Sequence, residues 1–211
     1  GGIVAVNREL DGETAAAMKP IFLEIIIAPS FSPEALEILT KKKNLRLLEV
    51  NMDRTGVRER QLVSVNGGLL VQDLDTVTKT VTTEMTVTEK RPAEEQLADM
   101  DFAWRIVKHV KSNAIVVVKN GATVGVGAGQ MNRVGSAEIA LREAKAKGMT
   151  EGLVLASDGF LPFDDTVALA AQYGVTAIVQ PGGSIHDNDS IVKANELGIA
   201  MVFTGERHFK H

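Results

Sequence analysis

Apolar and polar positions follow two rhythms along this chain. Phe22 to Ile27 is an apolar, β-branched run that Pro29-Ser30 stops. Ser32-Pro33-Glu34 then supplies a cap, a proline and an acid in the order that starts a helix. That helix ends in Lys41-Lys42-Lys43, where cations suit the negative end of a helix dipole, and Leu45 to Val50 reads as the next strand. Leu62 to Val71 predicts a hairpin, because Asn66-Gly67-Gly68 supplies the positive φ angles of a tight turn. Thr76 to Thr88 alternates Thr with Val and Lys, which fits an edge strand or an extended connecting arm. From Pro92, Leu97, Met100, Trp104, Val107 and Val110 recur at helical spacing. They predict an amphipathic helix of about five turns with Trp104 in its packing stripe.

Beyond Ser112 the punctuation becomes regular. Ile115 to Val118 and Thr123 to Val126 flank Asn120-Gly121 as a second hairpin. Ser136 caps a helix running through Ala146 and closed by Gly148. Leu153 to Ala156 is a strand, Asp165 to Tyr173 a helix closed by Gly174, and Thr176 to Val179 a strand. Asp189 to Leu197 is a last helix, and Ala200 to Phe203 a last strand. Strands alternating with helices of about ten residues argue for α/β layers and a largely parallel sheet.

Composition narrows the function classes. The 211 residues are 45% hydrophobic and 24% charged, with 27 acidic and 23 basic residues giving a formal charge of -4. No basic footprint for duplex nucleic acid results, so nucleic acid is not expected as a partner. With no cysteine there is neither a disulfide framework nor a thiolate metal site. No apolar run approaches the roughly 18 residues of a membrane span, and a cytoplasmic location is expected. Gly1-Gly2-Ile3-Val4-Ala5-Val6 has the character of strand interior rather than of a leader, so the chain is expected to begin inside a longer protein.

In open α/β sheets ligands bind beyond the carboxyl ends of strands, which directs attention to the loops after Ala156, Val179 and Phe203. The first, Ser157 to Asp165, mixes Phe160, Leu161 and Phe163 with Asp158, Asp164 and Asp165. An aromatic there stacks on a flat heterocycle or packs beneath the loop. The second, Gln180-Pro181-Gly182-Gly183-Ser184, is a plain turn or a loop offering backbone N–H groups to an anion. In the third, the tail Glu206 to His211, the Arg207 guanidinium is suited to a phosphate. Gly125-Val126-Gly127-Ala128-Gly129-Gln130 fails the dinucleotide fingerprint, since Gln130 stands where its last glycine belongs. These glycines instead predict a tight backbone approach to a ligand or a neighbouring chain. Lys108 and His109 diverge by about a hundred degrees on a helix, so they are assigned to a solvated helix end rather than to a catalytic pair.

Three stretches together resemble the AICAR formyltransferase domain of the bacterial bifunctional AICAR transformylase/IMP cyclohydrolase family. They are Ser112-Asn113-Ala114 running on to Val124 through Val134, then Ser157 to Asp165, then Gln180 to Ser184 with the Arg207 to His211 tail. The likeness extends to Gly1-Gly2-Ile3-Val4-Ala5 and to Glu24 through Pro29, and thus over essentially the whole chain. The resemblance implies cytidine-deaminase-like layered α/β subdomains with a mixed sheet, residues 1–56 ending the first and 57–211 forming most of the second. It implies transfer of a formyl group from the cosubstrate 10-formyltetrahydrofolate to the 5-amino group of AICAR in purine biosynthesis, within a homodimer whose active site is shared. By resemblance Glu24 and Asn113 hydrogen-bond the aminoimidazole carboxamide, Phe160 lies against its ring and Arg207 binds its phosphate. Val134, Pro162, Phe163 and Asp165 correspond to folate contacts, with Arg133 near the folate acid tail. No zinc is implied. Some members bind a monovalent cation near residues matching Ser112 and Asp158, against which Ala114 and Lys210 count here. The family's catalytic Lys-His pair lies in a K-H-x-N-P-x-G motif, which Lys108-His109-Val110-Lys111 does not match. The chain is therefore expected to be the C-terminal part of its parent, inactive by itself. A rival reading is a non-catalytic dimerisation or ligand-binding module, since these residues hold no complete acid-base or nucleophile constellation.

Overall fold

The β-branched runs at the start of the chain become three parallel strands. In the computed structural model β1 (Gly2–Ala5), β2 (Leu23–Ala28) and β3 (Arg46–Glu49) lie in the order β1-β2-β3, connected through α1 (Gly12–Met18) and α2 (Pro33–Leu39). Ser32 caps α2 by accepting the Ala35 N–H at 3.2 Å, with Pro33 in the first turn, as the sequence predicts. β4 (Arg60–Val65) and β5 (Gly68–Asp73) form the expected hairpin, turned by Gly67 at a φ of 85°. The described residues are 1–51, 60–76 and 79–211, and they divide into two units, Gly1–Leu74 and Asp75–His211. The division expected near Gly56 lies outside the described residues.

The second unit is built on a five-stranded sheet of order β10-β9-β8-β6-β7. Its strands are β6 (Ile115–Lys119), β7 (Ala122–Gly127), β8 (Leu153–Ser157), β9 (Val175–Gln180) and β10 (Ala200–Phe203). β8, β9 and β10 are parallel, whereas β6 runs antiparallel to both β7 and β8. The sheet is therefore mixed, and the largely parallel expectation is corrected. The Asn120-Gly121 turn joins β6 directly to β7 as the expected hairpin, and no crossover exists there to enforce a parallel pair.

Alternating side chains of these strands feed two separate cores. Val116, Val118, Val154, Ala156, Ala177, Val179, Ala200 and Val202 pack under α3 (Glu94–Val107) with Met100, Ala103, Trp104 and Val107. Ile115, Val117, Leu153, Leu155, Ile178 and Met201 face α4 (Arg133–Ala146), α5 (Asp165–Gln172) and α6 (Asp187–Glu196) on the other side. Both faces are thus covered, which explains near-continuous apolar strands. Trp104 is wholly buried, in keeping with a packing role.

Three helix starts differ from expectation. Asn132 caps α4 through a 2.8 Å bond from the Gly135 N–H, while Ser136 turns inward to donate to the Asn113 carbonyl at 2.6 Å. Asp164 precedes α5, and the Asp165 carboxylate accepts from its neighbour Thr166 instead of capping. α6 starts at Asp187, whose carboxylate takes the Gly183 and Ser184 N–H groups at 2.7 and 3.1 Å. Those donors are occupied, which removes the reading of the Gln180–Ser184 loop as an open anion cradle. α3 spans 14 residues, shorter than the stripe suggested. The described part of the Thr76–Thr88 segment is a connecting arm, holding a 3-10 turn at Thr83–Met85 and one bridge from Thr86 to Val202 beside β10.

The glycine stretch has an internal explanation. A Cβ on Gly125 would stand 1.9 Å from the Ala140 carbonyl oxygen, and one on Gly127 1.9 Å from that of Ser136. The tight approach expected of these glycines is made to the chain's own α4, not to a ligand or a second chain.

Candidate binding site at the carboxyl ends of the strands

The antiparallel β6 decides which loops meet. Because Ile115 pairs with Ser157 and with Gly127, the residues preceding β6 lie at the same end of the sheet as the loops following β7 and β8. Ser112 and Asn113 are thereby brought to the carboxyl end of β8, beside the Ser157–Asp165 loop, and the first turn of α4 delivers Arg133 to the same place.

Asp158 is the centre of this cluster. Its side chain is 0% exposed and ion-paired with Arg133, whose side chain is 14% exposed. The same carboxylate accepts from the Ser112 hydroxyl and from the Ala114 N–H at 3.2 Å. Arg133 also donates to the Ser157 hydroxyl at 3.2 Å, and that hydroxyl donates to the Gly159 carbonyl at 2.7 Å. Burial of both charges is tolerated because each oxygen and the guanidinium find partners. The Arg133 guanidinium is therefore turned into the protein, toward Asp158.

The tail completes the site. The Ser112 N–H donates to the Lys210 carbonyl at 2.8 Å, the Lys210 N–H to the Ser112 hydroxyl at 3.2 Å, and the His208 N–H to the Asp158 carbonyl at 3.0 Å. Arg207 is exposed, with its guanidinium carbon 5.1 Å from the centroid of the Phe160 ring. Its Nη2 stands 3.3 Å from where a Cβ on Gly183 would sit, so residues of all three post-strand loops converge on this guanidinium. The Asn113 amide nitrogen donates to the Gln130 carbonyl at 2.8 Å, and its Oδ1 has no hydrogen-bond partner among the described residues. An aromatic face, a guanidinium fork and an open amide oxygen are thus gathered at one end of the sheet.

The remaining expected site residues lie around or apart from this centre. Val134 is half-buried in the first turn of α4, and Pro162 is half-buried in the β8–α5 loop. Phe163 is exposed with its ring 6.0 Å from that of His186, at the rim of an open hollow of about 440 Å³ lined also by Asn188, Val192 and Lys193. Asp165 is exposed at the start of α5. Glu24 is exposed on β2 in the first unit, beside Gly1. Lys108 ends α3, and burial and the nearby Lys108 and Lys210 charges hold the His109 imidazole below its ordinary value. A larger hollow of about 630 Å³ lies at the opposite end of the sheet, near Asp99 and the Asn120-Gly121 turn. Its Asp99 carboxylate is taken up by the Asn120 and Gly121 N–H groups at 2.8 and 2.6 Å.

Sequence reasoning missed the Ser112–Asp158–Arg133 cluster as a unit, and it missed His208. The ring of His208 packs on Trp104 with centroids 4.5 Å apart, and its Nδ1 faces the Asp75 carboxylate. No local spacing announces either cluster, because the partners are brought together only by strand pairing and by the return of the tail.

A layered α/β unit with convergent polar loops beyond its strands has the architecture in which ligands bind at the carboxyl ends of strands. Residues 1–143 match the family described as "AICARFT/IMPCHase bienzyme", and the chain belongs to that family. It is 64% identical over all 211 residues to the bifunctional purine biosynthesis protein PurH of Anoxybacillus flavithermus. It is 59% identical over the same length to that of Bacillus cytotoxicus. In each case the whole chain is covered and 41% of the relative, so the chain spans about two fifths of the curated relatives it matches. Among solved structures, a diaminohydroxyphosphoribosylaminopyrimidine deaminase/5-amino-6-(5-phosphoribosylamino)uracil reductase from Thermotoga maritima gives a TM-score of 0.36. That match has 20% identity over 50% of this chain and 34% of the other, too slight to establish a shared fold.

Proposed function

We propose that this chain is the C-terminal, substrate-binding part of an AICAR formyltransferase with cytidine-deaminase-like layering. The observation that carries the reading is the convergence of Phe160, Arg207 and Asn113 at one end of the sheet. A phosphorylated aminoimidazole carboxamide needs a flat apolar surface for its ring, a guanidinium for its phosphate and an oxygen to accept from its carboxamide N–H. Phe160, Arg207 and the Asn113 Oδ1 are those groups. In the reaction the 5-amino nitrogen attacks the formyl carbon and loses a proton, the bond from that carbon to the folate nitrogen breaks, and the folate nitrogen takes up a proton as it leaves.

In this reading the chain's own residues orient and bind, and the base that takes the proton is the histidine of a motif they do not contain. The K-H-x-N-P-x-G motif is not among these 211 residues, and Lys108-His109-Val110-Lys111 does not match it. A general base contributes roughly 100- to 10,000-fold, so the chain alone is proposed to be inactive. Val134, Pro162, Phe163 and Asp165 would face the folate, with the exposed Phe163 ring the strongest candidate for its aromatic portion. Arg133, engaged by Asp158, serves in this reading to hold the site together rather than to meet the folate acid tail. The site does not suit an added monovalent cation. The Asp158 charge is already matched by Arg133, and the Lys210 ammonium lies 3.2 Å from the His109 carbonyl nearby.

The test is steady-state formyl transfer by the longer bifunctional protein carrying Arg207→Ala or Phe160→Ala. Loss of a charge-assisted phosphate contact is worth about 1.5 to 3 kcal/mol, so the Arg207 change is expected to raise the KM for AICAR at least about tenfold. An unchanged KM in both variants would refute the assignment of this site.

A further inference from the structure

In the final stretch of the tail, His208 is buried to 2% exposure while Arg207 and Phe209 on either side of it are exposed. Arg207 directly precedes His208 in the chain, so whatever holds His208 inward also restricts where the Arg207 side chain can stand. Three contacts hold it. The ring lies against Trp104, Nδ1 faces the Asp75 carboxylate, and the backbone N–H donates to the Asp158 carbonyl at 3.0 Å. With a carboxylate opposite, Nδ1 is the donor of that pair. Asp75 opens the second unit, 133 positions away in sequence, so the bond fastens the tail to the unit's first residue. On the outward side the Phe209 ring lies close to Gly159, where an added Cβ would come within 2.9 Å of it.

We propose that His208 is a positioning residue. Clamped by Trp104, Asp75 and the Asp158 carbonyl, it fixes the tail so that Arg207 stands beside Phe160 and Gly183, where the substrate's phosphate is received. This rests on the reading of Arg207 as the phosphate contact. A misplacement of the guanidinium by about an ångström weakens substrate capture and leaves the chemical step to other residues.

The proposal is tested with His208→Ala, Asp75→Ala and the conservative His208→Asn, which keeps a donor near the place of Nδ1. In the longer bifunctional protein, the two alanine variants are expected to raise the KM for AICAR about tenfold with kcat within about twofold, and His208→Asn to restore much of the loss. A second readout needs no ligand. Trypsin cuts after Arg207 only when the following residue is accessible, so brief digestion is expected to release the tail from His208→Ala well before it does so from the unaltered chain. The emission of Trp104, the single tryptophan, is expected to shift as the imidazole leaves it. If Arg207→Ala raises KM while His208→Ala and Asp75→Ala do not, the positioning role is overturned and the site assignment stands. If no variant changes KM, the assignment of Arg207 falls and the positioning role with it. Unchanged tail cleavage in His208→Ala overturns the clamp itself, whatever the kinetics.

Discussion

Asp158 and Arg133 illustrate how much of this site is held together by residues that need not meet a ligand. The carboxylate is fully buried, and its companions Ser112, Ala114 and Arg133 come from the start of β6 and the start of α4. Breaking a buried pair by removing one partner leaves an uncompensated charge, which costs about 3 to 5 kcal/mol. Arg133→Met is therefore expected to lower the stability of the second unit by that amount in urea denaturation followed through Trp104 emission. Adding Asp158→Asn to it is expected to recover part of the loss, and a change below about 1 kcal/mol in the single variant would contradict the pairing. The sequence displayed each of these residues and hid their relation. The resemblance put Arg133 near the folate acid tail, and nothing in its own segment announced its ionic partner, which lies 25 positions away at the end of β8.

At the scale of elements, the rhythm of apolar residues was a faithful guide wherever a local rule sufficed. Ser32-Pro33 started α2, Gly67 turned the first hairpin, and Leu97, Met100, Trp104 and Val107 marked the buried stripe of α3. Direction of pairing was beyond the same signals. An apolar strand buried on both faces reads alike whether its neighbour is parallel or antiparallel, so the antiparallel pairing of β6 with β8 that brings Asn113 beside the Ser157–Asp165 loop was not legible, although the β6–β7 hairpin was. Helix starts were displaced where two cap residues compete. Asn132 displaced Ser136 because the Ser136 hydroxyl is drawn to the Asn113 carbonyl. The glycines of β7 were visible as an anomaly, and only packing explains them: Gly125 and Gly127 let the backbones of β7 and α4 touch. Gly125→Ala forces a methyl against the Ala140 carbonyl, and overpacking of this kind is expected to cost about 2 to 3 kcal/mol in the same denaturation experiment. Gly68→Ala, where an added Cβ meets nothing within 4 Å, serves as the control.

Over the whole molecule, the two units differ in character. The second has two cores on either side of its sheet, while the first has a single core beside its three-stranded sheet. The hairpin β4–β5 leaves Leu62, Leu69, Leu70 and Val71 exposed. The family resemblance rested on motifs distributed over the entire length, and the chain spans 41% of the relative it matches at 64% identity. The central claim is that this segment binds the aminoimidazole nucleotide and lacks the base that takes its proton. It is tested most directly by assaying the 211-residue chain alone for formyl transfer from 10-formyltetrahydrofolate to AICAR, with the longer bifunctional protein as reference. The account predicts no product above the uncatalysed background. Turnover approaching that of the longer protein would contradict it, and would place the base among these residues, with His109 the first to substitute.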